Sequence, residues 1–227
     1  MINLQTGKPI DIILPNVYRY NNKQFVDLFF EKGIIRLSSF ARFRTYPDEI
    51  RGDRHEGRGS VTGESTKEGF QFHVMTQTGN DCYILCGSLV ESERLKEIFN
   101  CDSCFRIINP LEFSVAISNA IIGFKQSSQG ICNYRDYRII TKTIEDLSIN
   151  DFTNEQGNLI IGGHKMNKRI NQLIGSGIEL MFLKENKYQD QVEYRFVWSI
   201  NTQFYPMKEY IDIDCKEAIQ FCERIEE

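Results

Sequence analysis

Across residues 192–200 apolar and polar positions alternate. Val192, Tyr194, Phe196, Trp198 and Ile200 fall on one side; Gln191, Glu193, Arg195, Val197 and Ser199 fall on the other. A period of two in residues that favour pleated backbone predicts a strand with one apolar face. The opposite face opens with a carboxamide, a carboxylate and a guanidinium. One expectation is a solvated polar face on which Glu193 and Arg195 form a weak surface pair. The other is that the rigid apolar face holds these groups in place for chemistry.

Similar patterns divide the rest of the chain. Residues 17–20 read as an aromatic strand, followed by Asn21 as a helix cap with Gln24 three residues on. That helix carries Phe25, Leu28 and Phe29 and is closed by Gly33, after which residues 34–38 form a strand. Strands are predicted at 70–75, 82–89, 105–108, 131–140, 178–184 and 210–213. Helices are predicted at 91–99, at 110–122 behind an Asn109-Pro110 start, and at 165–174. Residues 141–156 read as a polar connection. Asp214 opens a last helix with Ala218, Phe221, Cys222 and Ile225 at helical spacing. There is no regular βαβ alternation and no glycine-rich phosphate loop between strand and helix. The expected fold is α+β, a single domain over residues 1–227.

Residues 40–64 have a different character. Arg42, Arg44, Arg51, Arg54, His55 and Arg58 alternate with Asp48, Glu49, Asp53 and Glu56, and glycines stand at 52, 57, 59 and 63. So polar a stretch predicts a mobile Arg/Gly-rich loop able to act as a lid. Phe40, Phe43 and Tyr46 interleave with its arginines, which suits a guest carrying phosphates and an aromatic ring. A metal-dependent nuclease using Asp48, Asp53 and Glu56 is a weaker alternative, because the neighbouring arginines would pair with those acids.

Composition narrows the classes. Of 227 residues 41% are apolar, and a net charge of −4 leaves no overall footprint for nucleic acid, so any such contact must be local. No apolar run approaches the ~20 residues of a membrane span, and the first residues lack the features of a secretory signal. A cytoplasmic protein without membrane contact is expected. Seven cysteines suggest free thiols rather than a disulfide framework. Cys82, Cys86, Cys101 and Cys104 are a possible zinc set, but 82–86 reads better as a buried strand with two small thiols, and no metal is expected.

Three stretches then stand in a telling order: Tyr18-Arg19-Tyr20, the serine-ending strand before Phe40, and Gln191-Val192-Glu193. The chain resembles the ADP-ribosyltransferase superfamily, most closely the DNA- or RNA-modifying toxins of bacterial toxin–antitoxin systems. Arg51-Gly-Asp-Arg-His-Glu-Gly57 and Lys184 ahead of Glu193-Tyr-Arg195 are also similar to a large bacterial domain family with the same order of elements. The resemblance implies a mostly antiparallel split sheet flanked by helices, with NAD as substrate. It implies Glu193 as the catalytic carboxylate and Gln191 as the group that orients the acceptor. Arg19, Tyr20, Ser38, Ser39, Phe40, Arg51 and Arg54 are implied around NAD. The implied acceptor is a nucleic-acid base, in RNA or single-stranded DNA, ahead of a protein side chain. The implied role is a toxin or phage-defence effector, with an antitoxin as possible partner. The alternative is a module that binds a nucleotide or NAD derivative without turnover.

Overall fold

The computed structural model describes residues 14–48, 50 and 52–225. Its strands are β1 (Val17–Asn21), β2 (Ile34–Ser39), β3 (Arg58–Ser65), β4 (Gln71–Gln77), β5 (Cys82–Ser88), β6 (Ser103–Ile107), β7 (Phe124–Ile131), β8 (Asn133–Arg135), β9 (Ile139–Ile144), β10 (Leu183–Glu185), β11 (Glu193–Ile200), β12 (Tyr210–Asp214) and β13 (Cys222–Arg224). The helices are α1 (Lys23–Lys32), α2 (Phe40–Thr45), α3 (Glu93–Ile98), α4 (Pro110–Ala120), α5 (His164–Ile174) and α6 (Ile178–Met181). The fold is mixed α+β with mostly antiparallel pairing. Among the described residues no helix is long and apolar enough to cross a membrane.

The alternating strand foreseen at 192–200 is β11, and it lies at the centre. One edge pairs antiparallel with β5, from Glu193 opposite Ser88 to Ser199 opposite Cys82; the other edge pairs with β7. The far edge of β5 is shared. At one end Ser38 and Ser39 of β2 lie opposite Ile84 and Tyr83, and at the other Tyr18 of β1 lies opposite Ser88. Because β1 continues into β6 and β13 while β2 continues into β12, the eight-stranded sheet forks at residues 85–87. Gly87 makes the fork possible: a Cβ there would stand 2.5 Å from Val17 Cγ1 and 3.0 Å from the Tyr18 carbonyl oxygen. Within the fork Arg19 Nη1 donates to the Cys86 carbonyl at 2.7 Å, where a sheet partner would otherwise bond.

Both faces of β11 are buried. Tyr194, Phe196, Trp198 and Ile200 join Val26 and Phe29 of α1 and Phe113 and Ile117 of α4 in the main core, where burying a side chain such as Phe196 contributes about 1.5–3 kcal/mol. Val197 on the other face packs with Phe40 of α2 and Met181 of α6. A smaller sheet, β4-β3-β9, with β3 and β9 parallel, covers a second core around Leu173, Leu180 and Leu183.

Several predicted elements change on folding. The cap of α1 is Asn22, and Asn21 instead accepts the Asn22 N–H on its side chain. Gly33 does close the helix, at φ +76°, and Lys216 packs so near that a Cβ would be 2.7 Å from it. The strand expected over 131–140 is cut in two, because β8 pairs with β10 while β9 pairs with β3. Residues 178–184 are one helical turn, α6, then β10; short apolar runs fit either form, and tertiary pairing decides. The expected last helix is a 3-10 turn, Lys216–Phe221, since β13 takes up a ladder with β6. Within the segment 40–64, residues 40–45 form α2 and residues 58–64 belong to β3, and between them Asp53 and Glu56 are buried rather than solvated.

Candidate functional site

The fork opens into a cavity of about 410 Å³, a size within the range of small-molecule sites, about 300–1,000 Å³. Arg19 and Tyr20 enter from β1, Arg36 and Ser38 from β2, and Arg42 and Phe43 from α2, with Tyr46 just beyond. Phe25 and Leu28 of α1 supply apolar wall, and Ile50, Gly52, Asp53 and Glu56 form a turn along one side. Lys184, Gln191 and Glu193 lie together at the polar end.

That polar end is a connected set of buried charges. Parallel pairing of β10 with β8 sets Lys184 opposite Tyr134, whose hydroxyl accepts the Glu193 N–H at 2.8 Å. Lys184 Nζ donates to Gln191 Oε1 at 2.6 Å and to Glu193 Oε2. The other Glu193 oxygen accepts from Arg195 Nε, and Arg195 forks onto Glu56 at 2.6 and 3.0 Å while also donating to the Met181 carbonyl. Gln191 Nε2 donates to the Ile50 carbonyl at 3.0 Å. The side chains of Lys184 and Glu193 are 7% and 6% exposed, and those of Arg195 and Glu56 are 0% and 3% exposed. Two cations face two anions, so the set is neutral, and removing any one member strands a buried charge.

Burial pushes the Glu193 carboxyl up, but Arg195 and Lys184 outweigh it and hold the group well below the usual carboxylate range. Burial likewise works against the Lys184 ammonium, and Glu193 reverses the effect, leaving its pKa raised. Glu193 is therefore ionised at neutral pH. A carboxylate offers about four lone-pair sites; Lys184 and Arg195 take one each here, so Glu193 can accept a further hydrogen bond from the cavity. Cys86 also lines the cavity, but burial raises its thiol pKa so far that it is no thiolate nucleophile.

Arg19, Tyr20, Ser38, Gln191 and Glu193 thus converge on one cavity. Tyr20 serves as wall: its hydroxyl donates to the Val90 carbonyl and accepts the Ser92 N–H, and burial raises its pKa to about 12. Three other expected ligand residues lie elsewhere. Ser39 is 3% exposed and caps α2, accepting the Arg42 N–H at 3.2 Å. Phe40 is wholly buried beside Cys82, Ile84 and Val197, so Phe43 and Tyr46 are the aromatic walls in its place. Arg54 is exposed and does not line the cavity. Arg51 lies outside the described residues. Asp53 and Glu56, read as possible metal ligands, bind Arg138 and Arg195 instead, and no group of three or more His, Cys, Asp or Glu suited to a metal occurs among the described residues. All seven cysteines are free.

Lys184 and Arg195 are the members that sequence reasoning did not single out as site residues, and Glu56 was read only as a possible metal ligand. The order Lys184, Glu193, Arg195 was visible as a family-like feature, but nothing local marks Lys184 as a partner of both Gln191 and Glu193. The chain matches no protein-family model, no curated protein and no solved structure.

Proposed function

We propose that the fork is the active site of an NAD-dependent ADP-ribosyltransferase. The observation that carries this reading is the meeting of Arg19, Ser38, Gln191 and Glu193, from three distant stretches, around one cavity of about 410 Å³. Breaking the nicotinamide–ribose bond passes through an oxocarbenium-like state, as in glycoside cleavage. The ionised Glu193 stabilises the positive charge that develops on the ribose and accepts a ribose hydroxyl proton or hydrogen bond. Lys184 and Arg195 act through Glu193, fixing its orientation before substrate arrives. Phe43 and Tyr46 offer flat faces to a base or to nicotinamide, and Arg19 and Arg42 suit the pyrophosphate. Gln191 is fixed beside Glu193, with one N–H and one lone pair of its amide unspent for orienting an acceptor. Its oxygen on Lys184 and its nitrogen on the Ile50 carbonyl hold its plane at the floor of the cavity.

In the cell such an enzyme would serve as a toxin or phage-defence effector, held in check by an antitoxin. Incubation with labelled NAD and separate pools of RNA, single-stranded DNA and protein tests the reading. Nicotinamide release is expected, falling 10²-fold or more in Glu193→Gln, the size of a single electrostatic catalytic contribution. Thermal unfolding of the variant controls for loss of fold. A folded wild-type chain that neither binds NAD nor releases nicotinamide refutes it.

One observation favours a second reading. Both Glu193 oxygens are already bonded, as in a site that only holds a ligand. A non-catalytic module would bind NAD or a related nucleotide and leave it intact.

A further inference from the structure

We infer that Asp212 of β12 accepts the 2′-hydroxyl of the adenosine ribose, so that the cavity selects NAD over its 2′-phosphorylated form. The inference rests on the NAD reading above and concerns the end of the dinucleotide that does not react.

The placement of Asp212 follows from alternation and register. Ile211 and Ile213 of β12 go to the main core, which leaves Tyr210 and Asp212 on the opposite face. Pairing with β2 sets Tyr210 opposite Ser38 and Asp212 opposite Arg36, and Ser38, Arg36 and Asp212 all line the cavity. Arg36 forks onto the carboxylate, Nε to Oδ1 and Nη2 to Oδ2, both at 2.7 Å. Its guanidinium carbon lies 3.9 Å from the centre of the Tyr210 ring. Gripped at its edge by Asp212 and on its face by Tyr210, Arg36 fixes the plane of the carboxylate. The same two bonds hold the Asp212 carboxyl below the usual carboxylate range, so it is ionised at neutral pH. Arg36 takes one lone pair from each oxygen, and a carboxylate has about four such sites, so an acceptor remains for a hydroxyl in the cavity.

Position selects which hydroxyl. From β11 the sheet runs through β5 and β2 to β12. Three strand spacings, roughly 14 Å in all, therefore separate the backbones that carry Glu193 and Asp212. A pyrophosphate keeps the two riboses of NAD apart over a span of that kind. With the nicotinamide ribose at Glu193, the adenosine ribose is the one that reaches β12. The aromatic wall offered to a base adjoins the same rim: the Arg42 guanidinium carbon is 4.8 Å from the Tyr210 ring centre and 5.7 Å from that of Tyr46.

A 2′-phosphate removes the hydroxyl proton that Asp212 accepts and sets an anion against its carboxylate. Arg36 would suit a phosphate, but Asp212 already fills its fork.

The test is calorimetry on the full chain with three ligands: NAD, NADP, and NAD lacking the adenosine 2′-hydroxyl, each checked as intact by chromatography after titration. The wild-type chain should bind NAD about 10-fold or more tighter than either analogue, the worth of a hydrogen bond to a charged group. Asp212→Ala should lower NAD affinity by a similar factor, leave the deoxy analogue within about twofold, and strengthen NADP by releasing the Arg36 fork. Asp212→Asn, which keeps an acceptor oxygen without the charge, should fall between, and thermal melting checks that both variants fold. Equal wild-type affinity for NAD and the deoxy analogue overturns the assignment and leaves the NAD reading standing. So does an Asp212→Ala variant that weakens both ligands alike, because Asp212 would then only brace the cavity wall. A folded wild-type chain that binds no NAD overturns the NAD reading, and the assignment with it.

Discussion

Glu56→Ala probes the buried charge set most directly. Arg195 is 0% exposed and receives Glu56 through both guanidinium nitrogens, at 2.6 and 3.0 Å. In the variant the guanidinium keeps Glu193 and the Met181 carbonyl but loses its forked partner, and water cannot reach it without opening the turn. Removing one partner of a buried ion pair costs about 3–5 kcal/mol, a large part of the ~5–15 kcal/mol that stabilises a typical domain. Urea unfolding can be followed by the fluorescence of Trp198, the one tryptophan of the chain, which lies in the main core. With a slope of about 3 kcal/mol/M, the midpoint should fall by roughly 1–2 M. Glu56→Leu combined with Arg195→Met replaces the pair with apolar groups of similar size, and should recover much of the loss, because apolar replacement of a buried pair is often neutral or stabilising. A single variant whose midpoint drops by less than about 0.3 M would mean a pair worth no more than ~1 kcal/mol, the value of a surface contact, and the buried set would be refuted. Simple additivity of the two single substitutions would refute it too.

Other outcomes follow from the same geometry. The folded pKa of Glu193 lies below its unfolded value, so its contribution is present at neutral pH and is lost as pH falls below about 4.3 toward the folded value; thermal scans should show a smaller acid loss in Glu193→Gln. Lys184 is raised, so its contribution holds below its unfolded value of about 10.4 and fades as pH rises through the folded one, which scans above pH 10 will register. Gly87→Ala should cost about 1–3 kcal/mol in chemical unfolding, since its Cβ would meet Val17 at 2.5 Å; an unchanged midpoint would contradict the close approach of β1. Phe40→Ala should lose about 3–5 kcal/mol of stability, whereas Phe43→Ala should lose much less and, on the function proposed above, weaken NAD binding instead, as calorimetry will separate.

Much of the local structure was written in short stretches of sequence. Alternation marked β11, Gly33 marked the end of α1, and Asn109-Pro110 marked the start of α4, with Asn109 accepting the Glu112 N–H as a cap. Each of these signals depends on neighbours a few residues apart, where backbone conformation and one face of a strand or helix are decided. The closeness of Gln191 and Glu193 was equally local. What the alternation did not reveal is that its polar face would be buried. Arg195 needs Glu56, 139 positions away, and Glu193 needs Lys184 from a strand placed by its pairing with β8. The fork is of the same kind, because it exists only once β1 and β2 compete for one edge of β5. Ser39 and Phe40 went to a cap and to the core for a similar reason: helix α2 begins there and must bury its first residue. A charge can leave water only where opposite charges from elsewhere in the chain compensate it, and that compensation is settled by packing, not by the order of residues.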